Sequence, residues 1–338
     1  MDMAEDWKSK YDYVGYFSED LAEVKLNGQW GFVDRQGNVV IPLMYDEVEF
    51  FSEGLAAVQL NGQYGFIDNE GSVVIPLKYD MAGGFHGGLA RVQLKRKMGF
   101  IDQQGNVVIP LMYDDAWSFD EGLAKVRLGD HITGKYGFID QQGNVVIPIE
   151  YDSVHYFDDG LAVVQRKRKW GFIDQQGNEV IPIDYDSVEP FDEGLAVVQR
   201  KGKWGFIDNE GSVVIPLKYD DAWDFSEGLA GVQLKGQWGF INTEGEEVVP
   251  PKYDYVHHFR RGLAKVELNG QYGVVDKTGK ELLPCVYNEG KIPVKTLEEA
   301  IKLSNRIKKK YEQDPEGLEL TVPEVDWKSW YEQVTKSS

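Results

Sequence analysis

Apolar and polar residues alternate with a period of two through most of the chain. In "LAAVQLNGQYGFIDNEGSVVIP", Leu55 to Pro76, Ala56, Val58 and Leu60 point to one side and Ala57 and Gln59 to the other. That is the alternation of a half-buried strand. Asn61-Gly62 follows, two residues that tolerate positive φ and together form a strong hairpin signal. A second strand then runs through Tyr64 to Asp68. In "DNEG" the aspartate can accept backbone hydrogen bonds and Gly71 can supply positive φ, as in a type I turn closed by a bulge. A third strand, "SVVIP", is expected to end at Pro76, whose missing N–H is tolerated at a strand end. The remainder, "LKYDMAGGFHGG", reads as a loop or a short fourth strand. Each such unit is expected to be a three-stranded antiparallel meander with an irregular connection.

The unit recurs eight times. The glycine after the aromatic returns at Gly31, Gly65, Gly99, Gly137, Gly171, Gly205, Gly239 and Gly273, a spacing of 34 with one step of 38. The Leu-Ala pair keeps the same beat from Leu21 to Leu263, which places the four extra residues in "RLGDHITGKYG" of copy four. A fixed period of this size marks a repeat architecture, in which one small unit buries its apolar face by stacking on its neighbours. The expected fold is all-β, an open twisted array of stacked meanders over residues 11–286. A closed eight-bladed β-propeller is the alternative, for which 34 residues per blade is tight. Flanking segments that could cap the ends favour the open form.

The "WG" or "YG" pair after a hairpin, followed by "FID..G..VIP..YD..V..F..GLA.V", resembles the WG-repeat proteins of bacteria, also known by the KWG name. The resemblance covers all eight copies, with Met98 in place of the aromatic in copy three, Asn242 in place of the aspartate in copy seven, and "LLPCVYN" closing copy eight. It implies an all-β repeat used for binding, with no shared catalytic activity and no named ligand.

Charge and cysteine usage narrow the function classes. A formal charge of −20 argues against a nucleic-acid or acidic-membrane partner as the default. The single Cys285 cannot form an internal disulfide. The beginning, "MDMAEDWKSK", is acidic and polar where a signal peptide would be basic and then apolar, and no apolar run reaches a membrane span. A cytoplasmic location is the expectation.

Candidate chemistry is sparse. No zincin, nucleophile-elbow, phosphate-loop or dinucleotide-binding pattern is present, so neither an enzyme activity nor a cofactor is expected. The Asp34, Asp68, Asp102, Asp140, Asp174, Asp208 and Asp276 series reads as turn caps, because each loop brings one carboxylate where calcium wants six to eight oxygens. The adjacent His257 and His258 would project to opposite sides of an extended segment, against a zinc site. The Trp30, Tyr64, Tyr136, Trp170, Trp204, Trp238 and Tyr272 series reads as inter-copy packing, with sugar stacking as the alternative use. The Gly31 series suggests close packing, under an aromatic of a neighbouring copy.

Two features vary from copy to copy. Hairpin tips are "NG" in copies one, two and eight but basic in copies three, five and six: Lys95, Arg96 and Lys97; Arg166, Lys167, Arg168 and Lys169; Arg200, Lys201 and Lys203. These form a candidate basic ridge for an acidic partner. The residues between Tyr-Asp and the next Phe also change freely, and with their neighbours they hold Tyr16, Phe50, Trp117, His155, Tyr156, Trp223, His257 and His258. Fixed anchors with free content behave as presented loops, so these eight are the candidate partner-binding residues.

The ends differ from the repeats. Residues 1–10 form a flanking segment and 287–338 an extension. "TLEEAIKLSNRIKKKYEQDP" opens with a capping box, Thr296 with Glu299, and predicts an amphipathic helix over 296–313 with Leu297, Ala300, Ile301, Ser304, Ile307 and Tyr311 on one face. A shorter helix is expected over 326–334. The leading functional reading is a non-catalytic scaffold for a protein partner, the second a glycan-binding lectin-like protein, and an enzyme a distant third.

Overall fold

In the computed structural model, which describes residues 6–288, 294–313, 328, 330 and 331, the strands are grouped by copy. There are eight four-stranded antiparallel sheets, each ordered as the chain runs. In the first, β1 (Tyr13–Val14) pairs with β2 (Ala22–Leu26), β2 with β3 (Gln29–Val33), and β3 with β4 (Val39–Tyr45). The segment after Tyr-Asp therefore supplies a leading strand to the next sheet. It is two residues long in most copies and six in Met81–His86 and Ser153–Asp158.

The hairpins and turns follow from their residues. Asn61 and Gly62 both have positive φ, as a two-residue primed turn needs. In the second turn of copy one, Asp34 Oδ1 accepts from the N–H groups of Gln36 and Asn38, 2.9 Å each. Gly37, at φ 82°, donates to the Asp34 carbonyl. The aspartate series is thus a set of turn caps, repeated at Asp68, Asp102, Asp140, Asp208 and Asp276.

Each sheet thus has four strands where three were expected, and two further local expectations change. The strand expected to end at the proline runs through it, as in Val39–Tyr45 and Val73–Tyr79, because the register slips between Trp30↔Tyr45 and Phe32↔Ile41. The proline sits in this bulge, where a missing donor costs the ladder nothing. The Gly31 series faces that bulge and not a neighbouring aromatic: a β-carbon on Gly31 would stand 2.5 Å from the Ile41 carbonyl oxygen and 2.8 Å from the Leu43 nitrogen.

The described residues divide into two compact units, residues 1–156 with 164–167 and 175–178, and residues 157–163 with 168–174 and 179–338. Within the first, Phe32, Ile41 and Tyr45 of one sheet bury against Phe51, Ala56, Val58 and Ile67 of the next. The phenylalanine of "GF" meets the anchor of the following copy, Phe32 with Phe51 at 4.8 Å and Phe66 with Phe85 at 4.9 Å. The second unit repeats this with Phe206 and Phe225 at 4.9 Å and Phe240 and Phe259 at 4.8 Å. Burying one such ring is worth about 1.5–3 kcal/mol, and the edge contact adds roughly 0.5–1.5 kcal/mol.

Polar bonds also run from copy to copy. Glu53, at φ 55°, accepts from the N–H groups of Gly87 and Gly88, and Glu227, also at φ 55°, from Arg261 and Gly262. Ser52 Oγ donates to the Phe85 carbonyl, and Ser226 Oγ to that of Phe259. A left-handed residue that is not glycine is uncommon. Here its carboxylate satisfies turn donors one copy further on.

Each unit carries its own flanking element. Asp6–Lys10 is a short 3₁₀ helix whose Trp7 is buried over Gly37. The corresponding Gly71 of copy two lies on Ile41 of copy one, so Trp7 occupies the place a preceding copy would fill. In the second unit, helix α1 (Leu297–Gln313) packs on the last strand, Glu281–Tyr287, with Ala300 and Ser304 buried. Ile301, expected on the apolar face, is 43 % exposed. Glu299 N–H donates to Thr296 Oγ1, and Glu299 Oε2 accepts from Lys295 N–H. The helix expected over 326–334 lies outside the described residues except for Lys328, Trp330 and Tyr331, which are helical; Trp330 is buried and donates its indole N–H to the Glu281 carbonyl at 3.1 Å.

Candidate partner-binding site

One register rule builds the variable face. The third residue after Tyr-Asp lies opposite the residue that follows Leu-Ala, and its N–H donates to that residue's carbonyl. The pairs are Glu49 with Ala57, Trp117 with Lys125, Glu189 with Val197, Trp223 with Gly231, and His257 with Lys265, at 2.9–3.0 Å. Residues directly opposite in an antiparallel pair share a face. Each pair is a two-residue combination: Ala57, Val197 and Gly231 are buried, whereas Trp117 with Lys125 and His257 with Lys265 are half-buried.

In the first unit this face gathers Trp117, Tyr156 and Lys125. The Lys125 ammonium lies 4.2 Å from the Trp117 ring centre and 4.5 Å from that of Tyr156. Trp117 is also 6.0 Å from Tyr136. Burial pushes the Lys125 ammonium below its ordinary value, opposed by the Asp115 carboxylate. Partial burial, with the Lys125 charge second, holds His155 below its own.

In the second unit the rings converge more closely. Trp223 lies 4.7 Å from Trp238 and 5.1 Å from Tyr255, and stacks on His258 at 4.8 Å. Tyr255 meets His257 edge-on at 5.3 Å. Beside them a cleft is lined by Glu189, Val197, Trp204, Ala222, Trp223, Asp224 and His258. Burial raises the Asp224 carboxyl above the usual carboxylate range, with Glu189 adding to the rise and His258 opposing it.

The eight candidates thus fall into groups. Trp117 and Tyr156 form one cluster; Trp223, His257 and His258 belong to another; His155 is adjacent to Tyr156 in the chain. Tyr16 and Phe50 are 93 % and 47 % exposed and join neither cluster among the described residues. Sequence reasoning missed Tyr255, Trp238 as a cluster member, and Gly231. The signal for Gly231 was present: it replaces the bulkier residues of "LAAV", "LAKV" and "LAVV" in the copy whose loop carries Trp223.

The ten basic-tip residues fare differently. Five are in ion pairs: Lys97 with Asp114 at 2.6 Å, Arg166 with Glu150 at 3.0 Å, Arg200 with Asp184 and Lys203 with Asp220 at 2.5 Å each, and Lys169 with Asp186. Lys95, Arg96, Lys167, Arg168 and Lys201 are exposed, all at positive φ. For the three lysines the aspartate of Tyr-Asp is the other half of this arrangement, and for Arg166 and Arg200 the acid just before the tyrosine. Asp186 also accepts the N–H of Lys201 at the next hairpin, and Asp220 that of Lys235.

Among the described residues no group of three or more His, Cys, Asp or Glu is placed to hold a metal. Burial, with Glu281 second, pushes the Cys285 thiol up to about 12, far from a reactive thiolate. No described helix is long and apolar enough to cross a membrane.

The sheets and their fixed anchors define a tandem β-repeat protein. Its repeats match the model for the WG containing repeat nine times, over residues 8–30, 30–64, 64–97, 98–130, 136–170, 170–204, 204–238, 238–272 and 272–292, and the chain belongs to that family. No curated protein matches the chain. Among solved structures it is similar to the extracellular domain of the hybrid two component system BT3049 from B. thetaiotaomicron, with 12% identity and a TM-score of 0.28. That likeness covers 85% of this chain, which spans 46% of that protein's length. It is also similar to the dihydro-heme d1 dehydrogenase NirN in complex with DHE, at 14% identity, 82% and 76% coverage and a TM-score of 0.32. A third is the uncharacterized protein lmo1340 from Listeria monocytogenes EGD-e, at 14% identity, 70% and 93% coverage and a TM-score of 0.31. At TM-scores this low the three likenesses carry no weight for function.

Proposed function

We propose that the protein is a non-catalytic binding scaffold whose variable loop-and-strand face recognises a protein partner. The supporting observation is convergence: Trp223, Tyr255, His257 and His258 come from the varied segments of two successive copies and meet in one ring cluster. Clustered aromatics with nearby charge are the usual anchors of protein interfaces. Sugar stacking is less well served, because a sugar needs a free ring face. Trp223 stacks on His258 and Trp238 is almost fully buried.

Tyr156 and Tyr255, 50 % and 41 % exposed, test the reading. Affinity capture from the native cell with the intact protein would identify the partner. Replacement of either tyrosine by alanine should then weaken binding by roughly 1–4 kcal/mol with the thermal melt almost unchanged. Full-strength capture by both variants would remove these two clusters from recognition.

A further inference from the structure

Copy eight inverts the charge of the inter-copy turn. At the two turn positions the other copies carry Ser18-Glu19, Ser52-Glu53, His86-Gly87, Asp120-Glu121, Asp158-Asp159, Asp192-Glu193 and Ser226-Glu227, but copy eight carries Arg260-Arg261. On the same copy the face position after Leu-Ala is Lys265, opposite His257. His257, His258, Arg260 and Lys265 line one pocket of about 360 Å³, with Leu263 as its apolar wall.

Arg260 and Lys265 differ from the paired basic residues of the hairpin tips. Elsewhere the lysines before the aromatic are paired with carboxylates, as Lys97 is with Asp114 and Lys203 with Asp220. Among the described residues no ion pair engages the side chain of Arg260 or Lys265. Lys265 lies over the Tyr272 ring at 4.6 Å, and Arg260 is exposed. In a chain of net charge −20, two cations outside any described ion pair, Arg260 and Lys265, lining one pocket favour an anionic guest. Two imidazole rings, His257 and His258, line the pocket; His258 is backed by Trp223 and His257 meets Tyr255 edge-on. The pocket's acidic neighbours are Asp224, whose charge acts on His258, and Glu227, whose carboxylate is taken up by the N–H groups of Arg261 and Gly262.

We propose that the pocket formed by His257, His258, Arg260 and Lys265 binds an oxyanion, phosphate or carboxylate, borne on a planar aromatic group that lies against the His257 and His258 rings and Leu263. This deepens the scaffold reading and rests on it for the biological ligand. The pocket itself is tested without any partner. Arg260 and Lys265 supply charge-assisted hydrogen bonds to the oxyanion, and the rings supply contact with its carrier.

Calorimetric titration of the full chain with inorganic phosphate, phenyl phosphate and benzoate tests the pocket. Saturable one-site binding of phenyl phosphate or benzoate, tighter than inorganic phosphate and weakened by salt, is expected. The tighter of the two aryl anions identifies the oxyanion. The Arg260→Gln/Lys265→Gln double variant, whose melt should be unchanged, is expected to bind roughly tenfold or more weakly. A Lys95→Gln/Arg96→Gln variant should bind as the native chain does. Absence of saturable binding to the native chain, or equal loss in both double variants, would overturn the proposal. Partner capture by Tyr156→Ala reads the scaffold separately, because Tyr156 is no part of this pocket.

Discussion

Gly231 lies beneath the Trp223 ring: a β-carbon on it would stand 3.3 Å from Trp223 Cε3 and 3.2 Å from Val256 Cγ2. The strand gives up a side chain so that the ring can lie flat against it. In copy four the same position is Lys125, and there the cation rests over Trp117 instead. Gly231→Val should displace Trp223 from His258 and destabilise the protein by about 1–3 kcal/mol through overpacking. Tryptophan fluorescence and a thermal melt would check it. An unshifted spectrum would mean that the ring does not depend on the glycine.

Gly65 makes a sharper demand, because its neighbours are backbone. A β-carbon there would meet the Ile75 carbonyl oxygen at 2.5 Å and the Leu77 nitrogen at 2.7 Å. Neither can rotate away as a side-chain tip could. Gly65→Ala should therefore cost ~3 kcal/mol, despite the better strand propensity of alanine. A urea melt that shows stabilisation would contradict the bulge geometry.

The carboxylate bonds between copies predict a graded series. Glu53→Ala removes the acceptor for Gly87 and Gly88 and keeps the left-handed backbone, so it should cost about 1–3 kcal/mol. Glu53→Gly loses the same bonds but relieves the strain, and its cost should be smaller by about 1 kcal/mol. Equal melts for the two variants would show that the backbone at Glu53 carries no strain.

Acid should weaken the turns. Hydrogen bonds from the Thr133 side chain, and then from the Thr133 and Ile132 N–H groups, lower the Asp130 carboxyl to about 2. The Asn38 side chain likewise lowers Asp34, and Lys97 lowers Asp114. A carboxylate with a depressed folded pKa contributes stability that is fully present above its unfolded value, near ~3.9, and lost as pH falls through the folded one. Asp224, raised by burial, acts in the opposite sense: its contribution is present below the unfolded value and lost as pH rises through the folded one. Thr133→Val should raise the Asp130 titration midpoint in carboxyl NMR and make stability fall less steeply between about pH 4 and 2. An unmoved midpoint would remove Thr133 as the cause.

Features confined to one copy were legible in the sequence; features spanning two copies were mostly hidden. Asn61-Gly62, Asp68 with Gly71, and the alternation around Val58 each act within a few residues, where local rules apply. The Glu53 to Gly88 bond reaches 35 residues ahead, and the Lys203 to Asp220 pair joins strand ends 17 apart. No periodicity of two or 3.6 reveals such distances. The basic tips looked uncompensated for that reason, since their partners flank the tyrosine of Tyr-Asp on either side, outside the hairpin. Pro76 suggested a strand end because a proline lacks a donor, yet opposite Gly65 the bulge needs none.

The basic tips that remain exposed give the last prediction. Lys95 and Arg96 have φ of 50° and 63°, and Lys167 and Arg168 of 53° and 64°. Copies one, two and eight meet the same turn with Asn-Gly, which accepts that backbone at little cost. A left-handed residue with a full side chain costs roughly 1–2 kcal/mol, so two turns give up stability at four positions. Lys95→Asn/Arg96→Gly should therefore raise stability by about 1 kcal/mol or more, even though it removes two charges from the surface. If the strained pair is held for its charge, the same change should weaken capture of an acidic partner and flatten its salt dependence. Thermal melts and salt-dependent capture on one variant separate the two effects. A variant that is more stable and captures equally well would leave the basic turn with no binding role, and one that is less stable would show that the side chains of Lys95 and Arg96 support the hairpin itself.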